Sequence, residues 1–454
     1  MDSAAKKALA EGIVLRLRNA GHVALFAGGC VRDHILGVAP KDWDIATNAR
    51  PDRIRSLFRR TLPVGAQFGV IIVLERGTPF EITTFRTETG YADGRHPDEV
   101  RYTDDPEQDA RRRDFTVNGL YLDPARGEVL DWVGGRSDLE ARVLRAIGDP
   151  EARFREDYLR MLRAARFAAQ LGFRIDPATA EAVRRSANRI AEISGERVRE
   201  ELVKLLATER RRAGVEAMEA LGLLPVILPE VAALRGVRQP EAFHPEGDVY
   251  EHTLRMLESA ERPSETLALG ILFHDAGKPA TFEVRDRIRF HGHARVGAEL
   301  AEGACRRLRL SNKQAERIVA LVREHMKFMD LRRMRRSTIK RFLRMEGFEE
   351  HLELHRLDCL ASHGKLENWE FARARLNEFG RDGLRPPPLL TGHDLVALGL
   401  PRGPLYARIL RAVEEEQLGG RVLSKESALE TARKMWEKDR ARSDSSASSD
   451  GRAY

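Results

Sequence analysis

Val23-Ala24-Leu25-Phe26-Ala27-Gly28-Gly29-Cys30-Val31-Arg32-Asp33, followed about ten residues on by Lys41-Asp42-Trp43-Asp44-Ile45-Ala46, is the stretch that decides how this chain folds. The run from Val23 to Ala27 is short and apolar, as a buried strand is, and it stops at two glycines. Glycines there let the backbone approach a ligand closely. The helix that opens after them presents free N–H groups to a phosphate, and Arg32 adds charge. Taken alone, a strand ending in a double glycine is as readily a structural turn. Asp42 and Asp44 sharpen the reading. On a strand, residues i and i+2 face the same side, so the two carboxylates project together. Like charges that close repel unless a cation sits between them, and an all-oxygen site suits Mg²⁺. An isolated Asp-x-Asp reads as a solvated acidic turn, but this one follows a phosphate-type turn at short spacing.

Outward from this stretch, β-rich runs recur at 70–74, 81–85 and 116–122, so residues 1 to about 145 mix strand and helix. From about Arg153 the pattern turns helical and stays so. Met161, Leu162, Ala165, Phe167, Ala168 and Leu171 fall close to a helical period. No internal repeat is present. Hydrophobic residues make up 42% of the 454 and charged residues 32%, enough to bury real cores. No run reaches the roughly 18 apolar residues that span a bilayer. Met1-Asp2-Ser3-Ala4-Ala5-Lys6-Lys7 lacks the apolar stretch of a secretory signal. Cys30, Cys305 and Cys359 are odd in number and far apart, which points to a reducing cytoplasm with no disulfide or zinc framework. The net charge of +7, carried mostly by arginine, suits a polyanionic partner.

Further segments extend the opening motif. They are Arg112-Arg113-Asp114-Phe115-Thr116-Val117-Asn118, Asp131-Trp132-Val133-Gly134-Gly135-Arg136-Ser137-Asp138-Leu139, and the run from Arg155-Glu156-Asp157 through Arg160 and Arg163 to Arg166-Phe167. In this order and spacing the chain resembles the polymerase β-like nucleotidyltransferases. More narrowly, it resembles the class II bacterial CCA-adding tRNA nucleotidyltransferase and poly(A) polymerase family. The resemblance implies that Asp42 and Asp44 are catalytic and hold Mg²⁺. It also implies that Gly29, Arg32 and Arg113 bind nucleotide, although Arg113 can equally be structural, paired with Asp114. Tyr91-Ala92-Asp93-Gly94-Arg95-His96-Pro97-Asp98 resembles the family's mobile loop.

Asp157, Arg160, Arg163 and Arg166 recur every three residues along a predicted helix and so share a face. A carboxylate that accepts from an exocyclic amine, beside a guanidinium that donates to the ring, can read the edge of cytosine or adenine without a template. Arg163 and Arg166 can hold the triphosphate. The alternative is a solvated face laced by Asp–Arg pairs. The family carries base reading on Glu-Asp-x-x-Arg, which stands here as Glu156-Asp157-x-x-Arg160.

His252, the pair His274-Asp275 and Asp358 form a third set, with His293 and His325 between. Imidazole and carboxylate are ligands for Ni, Mn, Fe or Zn. The order resembles the HD phosphohydrolase superfamily, whose pattern is His…His-Asp…Asp. His293 and His325 match the extra histidines of its two-metal members. The resemblance implies an HD site with a transition metal (Ni, Mn or Fe) and leaves open a metal-free scaffold. His244-Pro245-Glu246-Gly247-Asp248, just upstream, resembles members with an active HD domain. Arg385-Pro386-Pro387-Pro388 reads as a rigid linker, and Thr391 before Asp394 as a helix cap.

The expected fold is α+β: a small mixed-sheet nucleotidyltransferase head, then a long all-α body that includes an HD domain. The expected units are the catalytic head at 1–148, a helical base- and tRNA-binding domain at 149–228, and the HD domain at 229–380. A C-terminal helical tRNA-binding module at 381–438 and a disordered tail at 439–454 complete the division. The resemblance implies a cytoplasmic enzyme that adds CCA to the tRNA 3′ end from CTP and ATP by two-metal catalysis, with no membrane partner. The rivals are poly(A) polymerase, an enzyme that adds only CC or only A, and an HD phosphohydrolase with an RNA-binding head. Against poly(A) polymerase, Gly65-Ala66-Gln67-Phe68 carries no basic residues where that branch has them.

Overall fold

The strands Ala24–Ala27 (β1), Ile45–Thr47 (β2), Thr61–Leu62 (β3), Val70–Glu75 (β4), Thr78–Thr84 (β5), Tyr121–Asp123 (β6) and Glu128–Leu130 (β7) form one mixed sheet, ordered β3-β4-β5-β2-β1-β6-β7. Only β2 and β5 run parallel, with Ile45 opposite Ile82; the other pairs are antiparallel. The sheet places the end of β1, the entry to β2 and the middle of β5 side by side. The computed structural model describes residues 2–64, 69–89, 99–240 and 244–449. The stretch 65–68 and the loop 91–98, both singled out from the sequence, lie outside the described residues.

Phe26, Ile45, Ile71, Val73 and Ile82 point from the sheet into a core shared with Trp43 and with Ile13, Val14 and Leu17 of the first helix, Ser3–Asn19 (α1). Asp2 caps that helix, accepting from the Ala5 amide at 2.8 Å. Residues 116–122 are only partly strand. Thr116–Asn118 is a 3₁₀ turn that packs under the glycine turn, and the strand begins at Tyr121.

The body is helical. Pro150–Glu156 (α3) starts on an Asp149 cap with Pro150 at its first turn, and Leu159–Leu171 (α4) packs against Gly195–Leu206 (α5); the short helix after the glycine turn, Gly29–Ile35, is α2. One hydrophobic core then runs from Ala146 to Ala361, so residues on both sides of position 228 share it. Its centre is Glu265–Phe273 (α7), whose residues from Thr266 onward are all buried, as expected of a helix apolar on every side. Around it lie Val249–Ser259 (α6), His293–Arg307 (α8), Asn312–Glu324 (α9) and Phe348–Ala361 (α10).

Separate clusters follow, one around Phe328, Phe342 and Phe348 and one around Leu395, Ile409 and Val413. Thr391, read from the sequence as a helix cap, forms a capping box with Asp394. The last helix, Lys425–Ser449, runs past residue 439, where composition had suggested a disordered tail. Arg408 holds Asp439 at 3.0 Å, and Arg440 covers the Trp436 ring, so helix-compatible residues with local partners carry the turn onward.

Candidate active sites

The first site is a cleft of about 530 Å³ between the head and the first body helices, walled by seven arginines and three aspartates. Gly28 builds one wall. It sits at φ 76°, and a Cβ there would lie 2.7 Å from the Arg113 guanidinium, so a side chain would displace that cation. Arg32, only 4% exposed, donates to Asn118 Oδ1 at 2.6 Å and pairs with Asp33 at 2.7 Å. Arg113 is paired with Asp109 and Tyr121. Asp114 belongs instead to Arg163 at 2.6 Å, so the Arg113–Asp114 pair considered from sequence does not form.

Asp42 and Asp44 lie in the extended segment leading into β2. Both are exposed and Trp43 between them is buried, the alternation that an extended chain requires. Asp44 lines the cleft; Asp42 is outside the wall, with Lys6 Nζ at 3.2 Å. A third carboxylate, Glu81 on β5, stands one residue before the Ile45–Ile82 register pair, level with Asp44. Desolvation by the cleft walls, and next the Glu81 carboxylate, push Asp44 up to about 6 against the pull of Arg113, with a smaller push from Asp42. Crowding of one carboxyl by other carboxylates is what a divalent cation relieves, so these residues fit Mg²⁺. Sequence reasoning missed Glu81, because a lone Glu in an alternating strand carries no signal.

Asp157 departs from the sequence reading. It is not on the arginine face but at the break between α3 and α4, with φ −156° and ψ 105°. Its Oδ1 accepts from the Leu159 amide at 3.0 Å, and Arg197 holds the carboxylate at 2.6 Å. A short polar side chain that caps the next helix favours this break. Arg160 pairs with Glu156 and donates to the Arg153 carbonyl at 3.0 Å. Arg166 is turned to the buried Glu201 at 2.6 Å. Gly29, Arg32, Asp44, Arg113, Asp157, Arg160, Arg163 and Arg166 thus line one cleft. Asn118, Arg197 and Glu201, which the sequence did not mark, hold several of them in place.

The second site lies where α7 ends. His274 and Asp275 follow directly on this buried helix. Gly277 lets the turn close, since a Cβ there would stand 2.1 Å from the His293 carbonyl oxygen. His274, His293 and His325 each set Nδ1 on a backbone carbonyl three residues earlier, at 2.8, 2.9 and 2.7 Å. With Nδ1 donating, every Nε2 is left as a lone pair. His293 Nε2 and His325 Nε2 face each other at 3.2 Å, and His293 Nε2 is 3.5 Å from Asp275. His252 Nε2 is 3.1 Å from Asp358, and His274 Nε2 is 3.1 Å from Asp275, both without hydrogen-bond geometry.

Buried lone pairs that converge in this way repel one another unless a cation joins them. Two overlapping ligand groups, His252–His274–Asp275 and Asp275–His293–His325, share Asp275, a layout that fits two metal ions. Burial, then His274, holds His325 down to about 4. Burial opposes charging His252, but Asp358 and then Glu246 outweigh it and raise it to about 9. A cavity of about 410 Å³ opens beside the set, walled by Lys278, Phe290, Met326 and Met329 among others.

Three family models match the chain: the Poly A polymerase head domain over 24–145, the probable RNA and SrmB-binding site of polymerase A over 172–234, and the HD domain over 249–357. In its head and RNA-binding segments the chain is thus similar to poly(A) polymerase-type proteins, and farther on to HD domains. A CCA-adding enzyme of Lactiplantibacillus plantarum is 43% identical over 238 residues, 52% of this chain and 58% of that protein. One of Bacillus subtilis is 46% identical over 209 residues, 46% of this chain and 52% of its own length. The chain thus spans a little over half the length of the curated relatives it matches.

Among solved structures, a Bacillus stearothermophilus CCA-adding enzyme in complex with CTP superposes with a TM-score of 0.71 at 27% identity, covering 96% of this chain and 98% of that one. A Thermotoga maritima CCA-adding enzyme complexed with tRNA superposes at 0.58 and 18% identity, covering 92% of this chain and 93% of the other, and shares the fold. No helix among the described residues is long and apolar enough to cross a membrane.

Proposed function

We propose that this protein adds CCA to the 3′ end of tRNA from CTP and ATP. The observation that carries this reading is the arginine-walled cleft in which the glycine turn, Asp44 and the Asp157–Arg160 pair meet. Its excess of guanidinium over carboxylate suits a triphosphate and an RNA end. The relatives named as CCA-adding enzymes support the same reading. In the reaction the terminal ribose 3′-hydroxyl attacks the α-phosphate, a new P–O bond forms, and pyrophosphate leaves with the old one. Asp42 and Asp44 would hold Mg²⁺, which supplies Lewis-acid stabilisation of the phosphates when bound. Arg32, Arg113, Arg163 and Arg166 offer charge to the triphosphate, while Gly28 and Gly29 let it approach the backbone. Asp157 and Arg160 would read the base edge.

The test is incubation with tRNAs ending before C, before CC and before CCA, with CTP and ATP supplied separately and together. Full CCA on the shortest substrate is expected. Addition of only C, of only A, or of an extended A tract would identify the CC-adding, A-adding or poly(A) alternatives. No incorporation would leave a phosphohydrolase with an RNA-binding head. Buried unpaired cysteines accord with a reducing, cytoplasmic location.

A second activity rests on a separate observation, the converging Nε2 atoms of the HD set. We propose that His252, His274, Asp275 and Asp358, with His293 and His325, bind a transition metal (Ni, Mn or Fe) and support phosphoester hydrolysis. Metal analysis of the purified protein, with phosphodiesterase and phosphatase assays across added metals, tests it. Absence of both metal and hydrolysis would leave a bracing scaffold.

A further inference from the structure

Glu246 lies on a stretch that precedes α6 and falls outside the residues matching the HD model, which begin at 249. Hydrogen bonds from the Gln239 amide to the Gly247 carbonyl and from the Val249 amide to the Val237 carbonyl, both 3.0 Å, fold this stretch back on itself. A bridge between Arg238 and Asp248 closes it. The clip directs two side chains at the back of the HD ligands. Gln239 accepts from Lys278 Nζ at 2.5 Å, and that ammonium holds Asp275 at 2.7 Å. The Glu246 side chain is wholly buried, with Oε1 hydrogen-bonded to His244 Nδ1 at 2.9 Å and standing 2.8 Å from His252 Nδ1 without hydrogen-bond geometry. Its Oε2 has no hydrogen-bond partner.

A buried carboxylate is costly unless it answers a positive or donating group. His244 answers Oε1 with a hydrogen bond, and the His252 ring stands against the same oxygen. The other three imidazoles of the set rest Nδ1 on carbonyls, whereas His252 Nδ1 makes no such bond and faces Glu246. His252 Nε2 faces Asp358, on the ligand side. We infer that Glu246 is a positioning residue for the HD metal site, fixing His252 through Nδ1 so that Nε2 is presented to the ion. The inference rests on the reading of the HD set as a metal site. A carboxylate behind a ligating imidazole sets its tautomer and strengthens its donation to the metal, and removing such a partner typically weakens metal binding about 10–100-fold.

The experiment uses the full chain carrying Asp42→Ala and Asp44→Ala, so that the head no longer competes for the ion, stripped of metal and titrated with Mn²⁺. A further His274→Ala/Asp275→Ala variant is the blank. Glu246→Gln keeps shape and loses charge. It is expected to weaken Mn²⁺ binding about 10–100-fold, with Glu246→Asp recovering part of the loss. The metal-free melting temperature should stay near that of the parent. Equal Mn²⁺ affinity in the parent and in Glu246→Gln overturns the inference. A lower metal-free melting temperature with unchanged affinity does the same, because it reduces Glu246 to a packing role. If the parent binds no more Mn²⁺ than the blank, the HD metal reading itself fails, a result distinct from either. Should Glu246→Gln not fold, Glu246→Asp decides by the same comparison.

Discussion

Asp44, just before β2, and Glu81 on the parallel strand β5 stand level, and the Glu81 carboxylate helps to raise the Asp44 carboxyl. Crowding of the Asp44 carboxylate by neighbouring carboxylates is the physical basis for a cation there. Asp44→Ala or Asp42→Ala is expected to lower nucleotide addition by at least about 100-fold while tRNA binding in a filter assay changes little. Near-normal incorporation in both variants would sink the metal assignment. Asp157 and Arg160 are each held by a protein partner in the structure, so they are presented in fixed positions. Asp157→Ala or Arg160→Ala should erode discrimination among CTP, ATP, UTP and GTP by about 1–3 kcal/mol, roughly tenfold to a hundredfold, more than it affects RNA affinity. Side-by-side incorporation of the four nucleotides checks this, and unchanged selectivity would move base reading elsewhere.

The glycine turn, the α3–α4 break and the end of α7 each aim side chains by leaving regular structure at a chosen residue. At the last of these, Gly277 has no room for a methyl group, since a Cβ would press on the backbone of α8. Gly277→Ala is expected to destabilise the protein by about 1–3 kcal/mol and to disturb the HD site, seen as a lower melting temperature together with weaker Mn²⁺ binding. A neutral result in both would mean that the turn yields easily. Asp109 buttresses the head in another way. Burial would raise its carboxyl, but Arg112 and then Arg113 hold it down to about 2, below the roughly 3.9 of an unfolded chain. Its charge therefore contributes stability above about pH 4, a contribution lost as pH falls towards 2. Asp109→Asn should flatten the fall of melting temperature across that window, and an unaltered acid profile would count against the assignment.

The two candidate sites draw on different ligand chemistry and different cores. Hard carboxylate oxygens stand on the head sheet, and imidazoles converge in the helical body. His274→Ala combined with Asp275→Ala should abolish metal-dependent phosphoester hydrolysis and leave CCA addition mostly unharmed, as measured on one preparation with both assays. Loss of CCA addition in a normally folded double variant would show that the sites are coupled. Residues from Ala146 to Ala361 pack into one core, so such coupling has a physical route, and the experiment measures it.

The mixed head and the helical body were legible in the order of residues alone. Strand alternation, the double glycine and the later helical periodicity are local properties that each segment carries alone. The same order also named most side chains of both sites, because Gly-Gly-x-Val-Arg-Asp, Asp-x-Asp and His-Asp are contiguous motifs. Only the tertiary structure decided how those side chains are partnered. Asp157 left the helix face because its carboxylate caps the following helix and meets Arg197, forty residues away. Asp114 went to Arg163 rather than to its neighbour Arg113, and Arg166 turned to Glu201. Glu81 became part of the carboxylate group only through the parallel pairing of β2 with β5. Glu246 became part of the histidine cluster only through a clip that folds back before α6. Pairing between distant charges depends on which surfaces meet, and local spacing carries no record of that.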